Sequence, residues 1–240
     1  MKYFLDQAFI VEGKENGKCS DFYFDDNQWR LRYLVVKQGI FLNASKSLLS
    51  PSSLLRSEIE ARAEGIPLNI SSEKLDTAPT LDERLPVSRQ KEMEIASHYS
   101  WSTYWEAPSA IQPAASMDVP PLLEPQDERD QDPNLRSFQE VLGYRAQNAN
   151  STLGELNDFI LDLSDFSIPF MAIDAKPGES GGTRLISTRL PENRIRFNYA
   201  QKEVLTDCSS FHLKESPSAD LSDGRLSLGD QQKVTLASHL

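Results

Sequence analysis

Two adjacent carboxylates, Asp25 and Asp26, are the first residues whose types and spacing could do chemistry. Neighbouring carboxylates can raise one pKa and act as an acid–base pair, or they can hold a hard cation. The next two residues are Asn27 and Gln28, and acidic and amide side chains also close turns by hydrogen bonding to the backbone nearby. Turn formation is the favoured interpretation, so we predict neither a catalytic nor a metal-binding pair here.

Other side chains with catalytic or ligating potential are scattered along the chain. The three histidines lack the spacing that places two metal ligands on one helix. Cys19 and Cys208 are not flanked by the glycines of a nucleophile elbow, and two distant cysteines supply neither a disulfide framework nor a zinc quartet. The glycine-rich residues 178–183 lack the Gly-Lys-Ser/Thr ending of a phosphate loop. The sequence therefore predicts no enzyme, no cofactor and no metal.

Arginine and aromatic side chains supply two candidate interaction surfaces. Arginine binds phosphate and carboxylate groups alike, so an arginine cluster in the second half of the chain could contact RNA, an acidic partner or an acidic segment of the chain itself. The alternative is a solvated strand face. Tyrosine and tryptophan dominate interface hot spots, although packing on the protein's own fold is the favoured alternative for the aromatic cluster. The candidate residues are Tyr99, Trp101, Tyr104, Trp105, Arg184, Arg189, Arg194 and Arg196.

A repeat in the two halves of the chain indicates how these residues are positioned. Residues 17–36 align without gaps on residues 154–173, at an offset of 137. Further on, residues 66–70 align on residues 195–199 at the shorter offset of 129, which predicts that the second copy has lost a loop. The identical pairs are Gly17/Gly154, Asp21/Asp158, Phe22/Phe159 and Asp25/Asp162. Each copy is therefore predicted to be one structural unit used twice.

Alternating apolar residues predict strands within each copy. Apolar residues recur at every second position from Trp29 to Val35, which is the period of a strand with one buried face. The strands are short and closely spaced, with no crossover helix between them, and this favours a small barrel over a parallel sheet. Pro169 cannot donate a ladder hydrogen bond, so its strand should lie at an edge or be bulged there. The expected core anchors are Trp29, Tyr33, Phe166 and Phe170.

A proline-rich acidic segment separates the two copies. Residues 106–134 contain six prolines and many acidic residues against one base, Arg129, and such a composition cannot bury a core. A short helix is predicted before it, over Arg89–Ser97, from strong helix formers that follow a serine cap. The predicted organisation is a first β unit with helix and aromatic segment over 1–105, a linker over 106–134, a second unit over 135–213 and a polar tail over 214–240.

Charge and apolar runs limit the partners and the location. The 240 residues include 36 acidic and 25 basic ones, a net charge of -11 that disfavours nucleic acids and anionic membrane surfaces as partners. No apolar run approaches the roughly 20 residues that span a bilayer, and Asp6 interrupts the apolar region that a signal peptide requires. The chain is therefore predicted to be cytoplasmic, without an integral membrane segment.

The strand pattern of the first copy resembles a known family. The run Asp-Asp-Asn-Gln-Trp-Arg-Leu-Arg-Tyr-Leu-Val-Val over residues 25–36, followed by Leu49-Ser50-Pro51, resembles the PRC-barrel family. Its members share the cytoplasmic β-barrel of the photosynthetic reaction-centre H subunit and the C-terminal domain of the bacterial 16S rRNA-processing factor. The second copy is similar to the family's opening strands, with departures at Asn150-Ser151 and Pro169. The resemblance implies an all-β fold with a minor helix, made of two tandem PRC-type barrels joined by the linker.

The same resemblance carries the functional expectation. Family members serve as assembly and interaction modules, which implies a non-catalytic scaffold that acts through contacts with a protein partner. Two alternatives remain open: an RNA-processing or ribosome-assembly factor, and an accessory protein of reaction-centre electron transfer. DNA is not expected as a partner, and the acidic charge disfavours RNA. Duplicated units tend to reuse a twofold contact, so the two barrels are expected to pack against each other about a pseudo-twofold axis.

Overall fold

The computed structural model describes residues 1–39, 45–60, 64–81, 89–101, 135–176, 182–190 and 193–221. Within these ranges the protein is mainly β, with two six-stranded mixed sheets and few helices. The prediction of a mainly β fold with a minor helical part is therefore confirmed. The linker over 106–134, the aromatic residues Tyr104 and Trp105, and the tail beyond residue 221 lie outside the described residues.

The first sheet is built almost entirely from the first half of the chain. Its strands β1 to β4 form an antiparallel meander, β5 pairs with β1 in parallel, and β6, which comes from the second half, pairs with β2. The strands are β1 (Ala8–Val11), β2 (Lys14–Asp25), β3 (Arg30–Gln38), β4 (Ser45–Leu49), β5 (Ile66–Leu68) and β6 (Leu135–Ser137). The helices of this half are α1 (Arg56–Glu60), α2 (Ser72–Asp76) and α3 (Arg89–Tyr99).

The second sheet repeats this arrangement. Its strand order is β10-β9-β8-β7-β12-β11, and β12 pairs with β7 in parallel as β5 does with β1. The strands are β7 (Arg145–Gln147), β8 (Thr152–Ile160), β9 (Phe170–Ala175), β10 (Gly182–Ser187), β11 (Arg196–Asn198) and β12 (Glu203–Leu205), and the helices are α4 (Phe138–Val141) and α5 (Ser210–Glu215). Within the described ranges each sheet is an open path of strands, and neither closes into a barrel.

The offset of 137 holds in the strand register as well as in the sequence. The β2–β3 ladder shifts between Cys19 and Asp21, and the β8–β9 ladder shifts between Leu156 and Asp158, which are the equivalent positions. A related pair of bonds lies further on: Leu81 N–H donates to the Lys46 carbonyl, and Ala219 N–H donates to the Thr183 carbonyl, with the acceptors 137 and the donors 138 residues apart. The repeat predicted from residues 17–36 is thus confirmed, and it extends over both β units.

The predicted offset of 129 for the later strand is wrong. The parallel partner of β1 is β5, with Phe9 opposite Ile66, and the parallel partner of β7 is β12, with Ala146 opposite Val204. Ile66 and Val204 are therefore equivalent and stand 138 residues apart, so the second copy has gained one residue by this point. The segment 195–199 contains β11, whose short alternating pattern mimics β5 without sharing its place in the sheet.

Contacts between the two halves come in pairs that the repeat relates. Leu31 N–H donates to the Phe166 carbonyl at 2.9 Å, and its counterpart Ile168 N–H donates to the Trp29 carbonyl at 2.7 Å. These two bonds flank an isolated bridge between Arg30 and Ser167, which are themselves equivalent. A continuous hydrophobic core joins residues of both halves. Each half therefore presents the same backbone segment to the other.

A buried aspartate in each half reaches the beginning of the other half. Asp21 Oδ1 accepts the backbone N–H of Gln139 at 2.8 Å, and Asp158 Oδ1 accepts the backbone N–H of Lys2 at 2.8 Å. Both carboxylates also accept the N–H of the residue that follows them, at 2.7 Å. The Met1 ammonium adds an ion pair to Asp158 at 2.9 Å. Aspartate therefore occupies both position 21 and position 158 because each carboxylate binds the other half of the protein.

Three of the four expected core anchors are buried. Trp29, Tyr33 and Phe170 are 9%, 8% and 4% exposed. Trp29 lies in the turn just before β3 rather than in the strand, in a left-handed conformation with φ of 51°. Phe166, its equivalent in the second copy, is only half-buried, and the Arg56 guanidinium lies over its ring at 4.5 Å. β9 begins at Phe170, directly after Pro169, so the proline stands outside the ladder.

Close approach of neighbouring strands explains why glycine recurs at positions 17 and 154. A Cβ on Gly154 would lie 2.0 Å from the Asp174 carbonyl oxygen, and one on Gly17 would lie 2.9 Å from the equivalent Lys37 oxygen. Overpacking typically costs about 1–3 kcal/mol, and a backbone neighbour yields little, so Gly154→Ala should lower the free energy of unfolding by about 3 kcal/mol in urea denaturation.

Gly143→Ala is the control for this substitution, because open space surrounds that position although its φ is 77°. Conformational strain alone should make the control cost about 1–2 kcal/mol. A smaller loss for Gly154→Ala than for Gly143→Ala would contradict the close approach of β8 and β9.

Candidate functional site

An open groove with a volume of about 720 Å³ lies beside the parallel β1–β5 pair of the first half. Its walls come from the end of β1, from α1 and α2, and from β5 with the residues that follow it. The aromatic rings of Tyr99 and Trp101, at the end of α3, complete the lining. The groove is therefore assembled from segments that are far apart in the sequence.

Helix α3 holds the two aromatic rings against the first sheet. Its buried face carries Ile95, which is 1% exposed, and Glu92, which is fully buried and accepts a hydrogen bond from the Tyr33 hydroxyl. A ring nitrogen of His98 lies 2.7 Å from the Lys74 carbonyl oxygen, which fastens the helix to α2. The end of α3 is thus fixed on two sides before the chain reaches the groove.

The helix terminus folds Trp101 back onto Tyr99. Ser100 adopts a left-handed conformation with φ of 59°, and Trp101 N–H donates to the Ala96 carbonyl at 2.8 Å. Ser100 N–H donates to the Ser97 carbonyl, so the pair of bonds forms a Schellman motif. The two rings stack with centroids 4.2 Å apart and planes 12° apart. The C-terminal turn of α3 therefore determines the position of the two rings that form the aromatic wall of the groove.

The hydroxyl of Tyr99 is buried without a hydrogen-bond partner. The side chain is 4% exposed, and its oxygen is among the buried polar atoms of the described chain that have no partner. Burial raises the pKa of the Tyr99 phenol above its ordinary value, so the group stays neutral and keeps its proton. An unpaired buried polar atom costs about 1–3 kcal/mol, and a ligand that supplied a hydrogen bond would recover part of that.

Charged side chains of both signs line the groove around this aromatic wall. Glu12, Glu58 and Lys74 are exposed, and Glu12 Oε2 also accepts the Ser72 N–H at 3.4 Å near the start of α2. An apolar and aromatic centre with a polar rim is the usual anatomy of a protein interface. The arrangement can therefore receive an apolar side chain on the rings while its polar neighbours are paired at the rim.

The structure brings together only some of the residues proposed from the sequence. Tyr99 and Trp101 share the groove. Arg184 donates to the Ser216 carbonyl and Arg189 donates to Ser167 Oγ, both at 2.9 Å. The exposed side chains of Arg194 and Arg196 make no hydrogen bond or ion pair within the part of the chain that the structure describes. The four arginines therefore do not converge on a shared contact.

The adjacent carboxylates Asp25 and Asp26 have structural roles. Asp25 Oδ1 accepts the backbone N–H groups of Asn27 and Gln28, at 2.9 and 2.8 Å, which confirms the turn interpretation. Asp26 forms an ion pair with Arg136 of the second half at 2.8 Å. Burial raises the pKa of Asp26, and the nearby Arg136 opposes that shift. Sequence reasoning missed this contact because nothing local links residues 26 and 136.

Across the described ranges, no three His, Cys, Asp or Glu side chains lie close enough together to hold a metal ion. No helix in those ranges is long and apolar enough to cross a membrane. No protein-family model matches the chain, and no curated protein is similar to it at a significant level. The function is therefore inferred from the geometry of the groove and of the repeat.

Proposed function

We propose that this protein is a non-catalytic, cytoplasmic scaffold module that binds another protein, built from two tandem β units of the PRC-barrel type. The observation that carries the proposal is the groove with its stacked Tyr99–Trp101 pair, in which the buried Tyr99 hydroxyl has no hydrogen-bond partner among the described residues. The half-buried Trp101 ring, supported by the buried Tyr99 ring, offers rigid aromatic contact area at low entropic cost, and such residues dominate binding hot spots.

The repeated topology supports the PRC-barrel part of the proposal. Each half contains four antiparallel strands whose first strand pairs in parallel with a later one, and the strand registers agree between the halves. The register shift at the same place in both copies supports this part of the proposal, because β-bulges bend strands and are common in small barrels. The family resemblance of residues 25–36 concerns the β2–β3 hairpin of this unit.

Pairing of the two units about a pseudo-twofold axis is part of the same proposal. It is supported by the reciprocal hydrogen bonds at Trp29 and Phe166 and by the exchanged contacts of Asp21 and Asp158. Small-angle scattering of the full chain should give the distance distribution of one globule for the paired units. A two-lobed distribution whose lobes separate as the ionic strength changes would contradict the pairing.

Photo-crosslinking tests whether the groove binds a partner. A crosslinking amino acid replaces Glu58, an exposed residue of the groove, and the full chain is incubated with extract of its native cell. The control carries the same group at Glu155, an exposed position on β8 in the second half. We expect a discrete protein adduct from position 58 and none from position 155, because only the former borders the aromatic wall.

Trp101→Ala should weaken capture of that partner by more than about tenfold, since hot-spot aromatics cost 2 kcal/mol or more when truncated. The measurement is a titration of the identified partner against both proteins. Glu58→Lys leaves the ring stack intact and reverses one exposed charge of the groove, so it should weaken binding without a loss of folding. It therefore separates an effect on the groove from an effect on folding. Unchanged affinity in both variants, or equal adducts from both crosslinking positions, would exclude the groove as the binding site.

A further inference from the structure

The β6 strand shows that one edge of the repeated unit can pair with a short added strand. It lies antiparallel beside the end of β2, with Phe24 opposite Arg136, Tyr23 opposite Ser137, and Asp25 opposite Leu135. Ser137 Oγ donates to Asp21 Oδ2 at 2.6 Å, which anchors the strand through a side chain as well as through the backbone. Only three residues are needed to cover this edge.

The equivalent edge of the second half is residues 160–162, at the end of β8. Among the described residues no strand lies beside it, and neither the N–H nor the carbonyl of Leu161, the counterpart of Phe24, makes a hydrogen bond. Asp158 Oδ2, the counterpart of the oxygen that accepts from Ser137, likewise has no partner within the described part of the chain. The groups that contact β6 in the first half are therefore paired, whereas their counterparts in the second half are not.

The backbone contacts that adjoin β6 in the first half have counterparts next to this edge in the second half. Lys2 N–H binds Asp158 Oδ1 as Gln139 N–H binds Asp21 Oδ1, and the Met1 ammonium donates to the Phe159 carbonyl at 2.8 Å. The unpaired edge is thus continuous with the interface between the halves. An exposed row of unpaired backbone groups is a template for strand addition.

We propose that residues 160–162 bind an extended segment of a partner protein as an added antiparallel strand. The segment has Ser or Thr at its third position, because a hydroxyl there meets Asp158 Oδ2 as Ser137 meets Asp21. Its middle residue is apolar, because Leu163 stands where Asp26 pairs with Arg136 in the first half. This surface lies in the second half and is separate from the groove of the first.

An extension of the chain itself provides the sharpest test. Phe138, the equivalent of Met1, directly follows β6, so three residues placed before Met1 would reach the edge. One protein carries Leu-Leu-Ser there, and its matched control carries Leu-Pro-Ser, in which the proline cannot donate an N–H to the Leu161 carbonyl. Both proteins lose the free ammonium at Met1, so that change cancels in the comparison.

We expect hydrogen exchange of the Leu161 amide to be at least about tenfold slower with Leu-Leu-Ser than with Leu-Pro-Ser. The melting temperature should be higher by about 2–4 °C, as expected for the added ladder bonds in a protein of this size. Equal exchange rates and equal melting temperatures in the two proteins would show that the edge does not accept a strand.

A peptide tests binding from a separate molecule. Acetyl-Gly-Leu-Leu-Ser-amide, titrated at millimolar concentration into the unextended protein, should shift the amide resonances of Leu161 and Asp162, and the Leu-Pro-Ser peptide should not. The Leu-Leu-Ser extended protein should not respond, because its own strand fills the edge. Shifts that persist in the extended protein, or concentration-dependent dimers that form through this edge, would overturn the assignment to a partner segment.

Discussion

Trp29→Ala is expected to lower the free energy of unfolding by about 3–5 kcal/mol, which is the usual cost of truncating a large buried aromatic residue. The Trp29 ring stacks on Phe24 with centroids 6.0 Å apart, and it meets Phe159 and Phe197 of the second half at 5.9 and 6.2 Å. The substitution therefore opens a cavity where the two halves pack against each other. Urea denaturation followed by far-ultraviolet circular dichroism would measure the loss.

Phe166→Ala is the matched control, because Phe166 is equivalent to Trp29 in the repeat and shares its left-handed backbone, with φ of 61° against 51°. Its ring is half-buried and is covered by the Arg56 guanidinium, so less apolar area returns to water. We expect the control to cost about 1–2 kcal/mol. Equal losses at the two positions would show that the asymmetry of burial has no energetic consequence.

Asp21→Ala is expected to cost about 3–5 kcal/mol, because it removes three hydrogen bonds, one buried and two partly buried, from donors of both halves. The donors are the N–H groups of Phe22 and Gln139 and the hydroxyl of Ser137. Asp21→Asn should be tolerated far better at neutral pH. Its amide oxygen still accepts both N–H groups, and its amide nitrogen can donate to Ser137 Oγ.

The pH dependence of stability separates these two substitutions further. Burial raises the pKa of Asp21 above its ordinary value of 3.8, and the hydrogen bonds from Ser137 and Gln139 oppose that shift. A raised folded-state pKa means that the folded state binds the proton more tightly. The proton-linked part of the contribution that Asp21 makes to stability is then greatest below pH 3.8 and is lost as the pH rises through the raised pKa, whereas the backbone hydrogen bonds that its Oδ1 accepts remain. Asp21→Asn should remove this component from a plot of unfolding free energy against pH.

Asp158→Asn is the control at the equivalent position, because Asp158 accepts a hydrogen bond from the Met1 ammonium, whereas the hydrogen-bond donors to Asp21 are neutral. Replacing the carboxylate by an amide there removes an ion pair that is shielded from water. We expect Asp158→Asn to cost about 2 kcal/mol more than Asp21→Asn at pH 7. A reversed order would mean that the two aspartates do not differ in the way their partners indicate.

The sequence was sufficient to predict the repeat and most of its strands. Glycine at positions 17 and 154 and aspartate at 21 and 158 are constrained by a backbone approach and a reciprocal contact, so they remain visible after divergence. The strand β5 was assigned the wrong counterpart because its pairing with β1 depends on a distant segment. Periodicity reports which face of a strand is buried, but it does not report which strand lies beside it.

The candidate groove was only partly foreseeable for the same reason. Tyr99 and Trp101 could be singled out by residue type alone, since tyrosine and tryptophan are enriched at binding hot spots. Glu12, Glu58 and Lys74 carry no local signal, because they meet only after β1, α1 and α2 converge around β5. The free edge at residues 160–162 becomes visible only when the two sheets are compared strand by strand.

The reciprocal aspartate contacts also determine the order in which this protein can mature on the ribosome. Asp21 emerges long before Ser137 and Gln139, which supply its donors, and at roughly 5–20 residues per second the wait lasts several seconds or more. During that interval the Asp21 carboxylate lacks two of its three hydrogen-bond donors, and the aromatic face around Phe24 is uncovered. A nascent chain stalled before residue 135 should therefore engage chaperones, and one stalled after the second half has emerged should not.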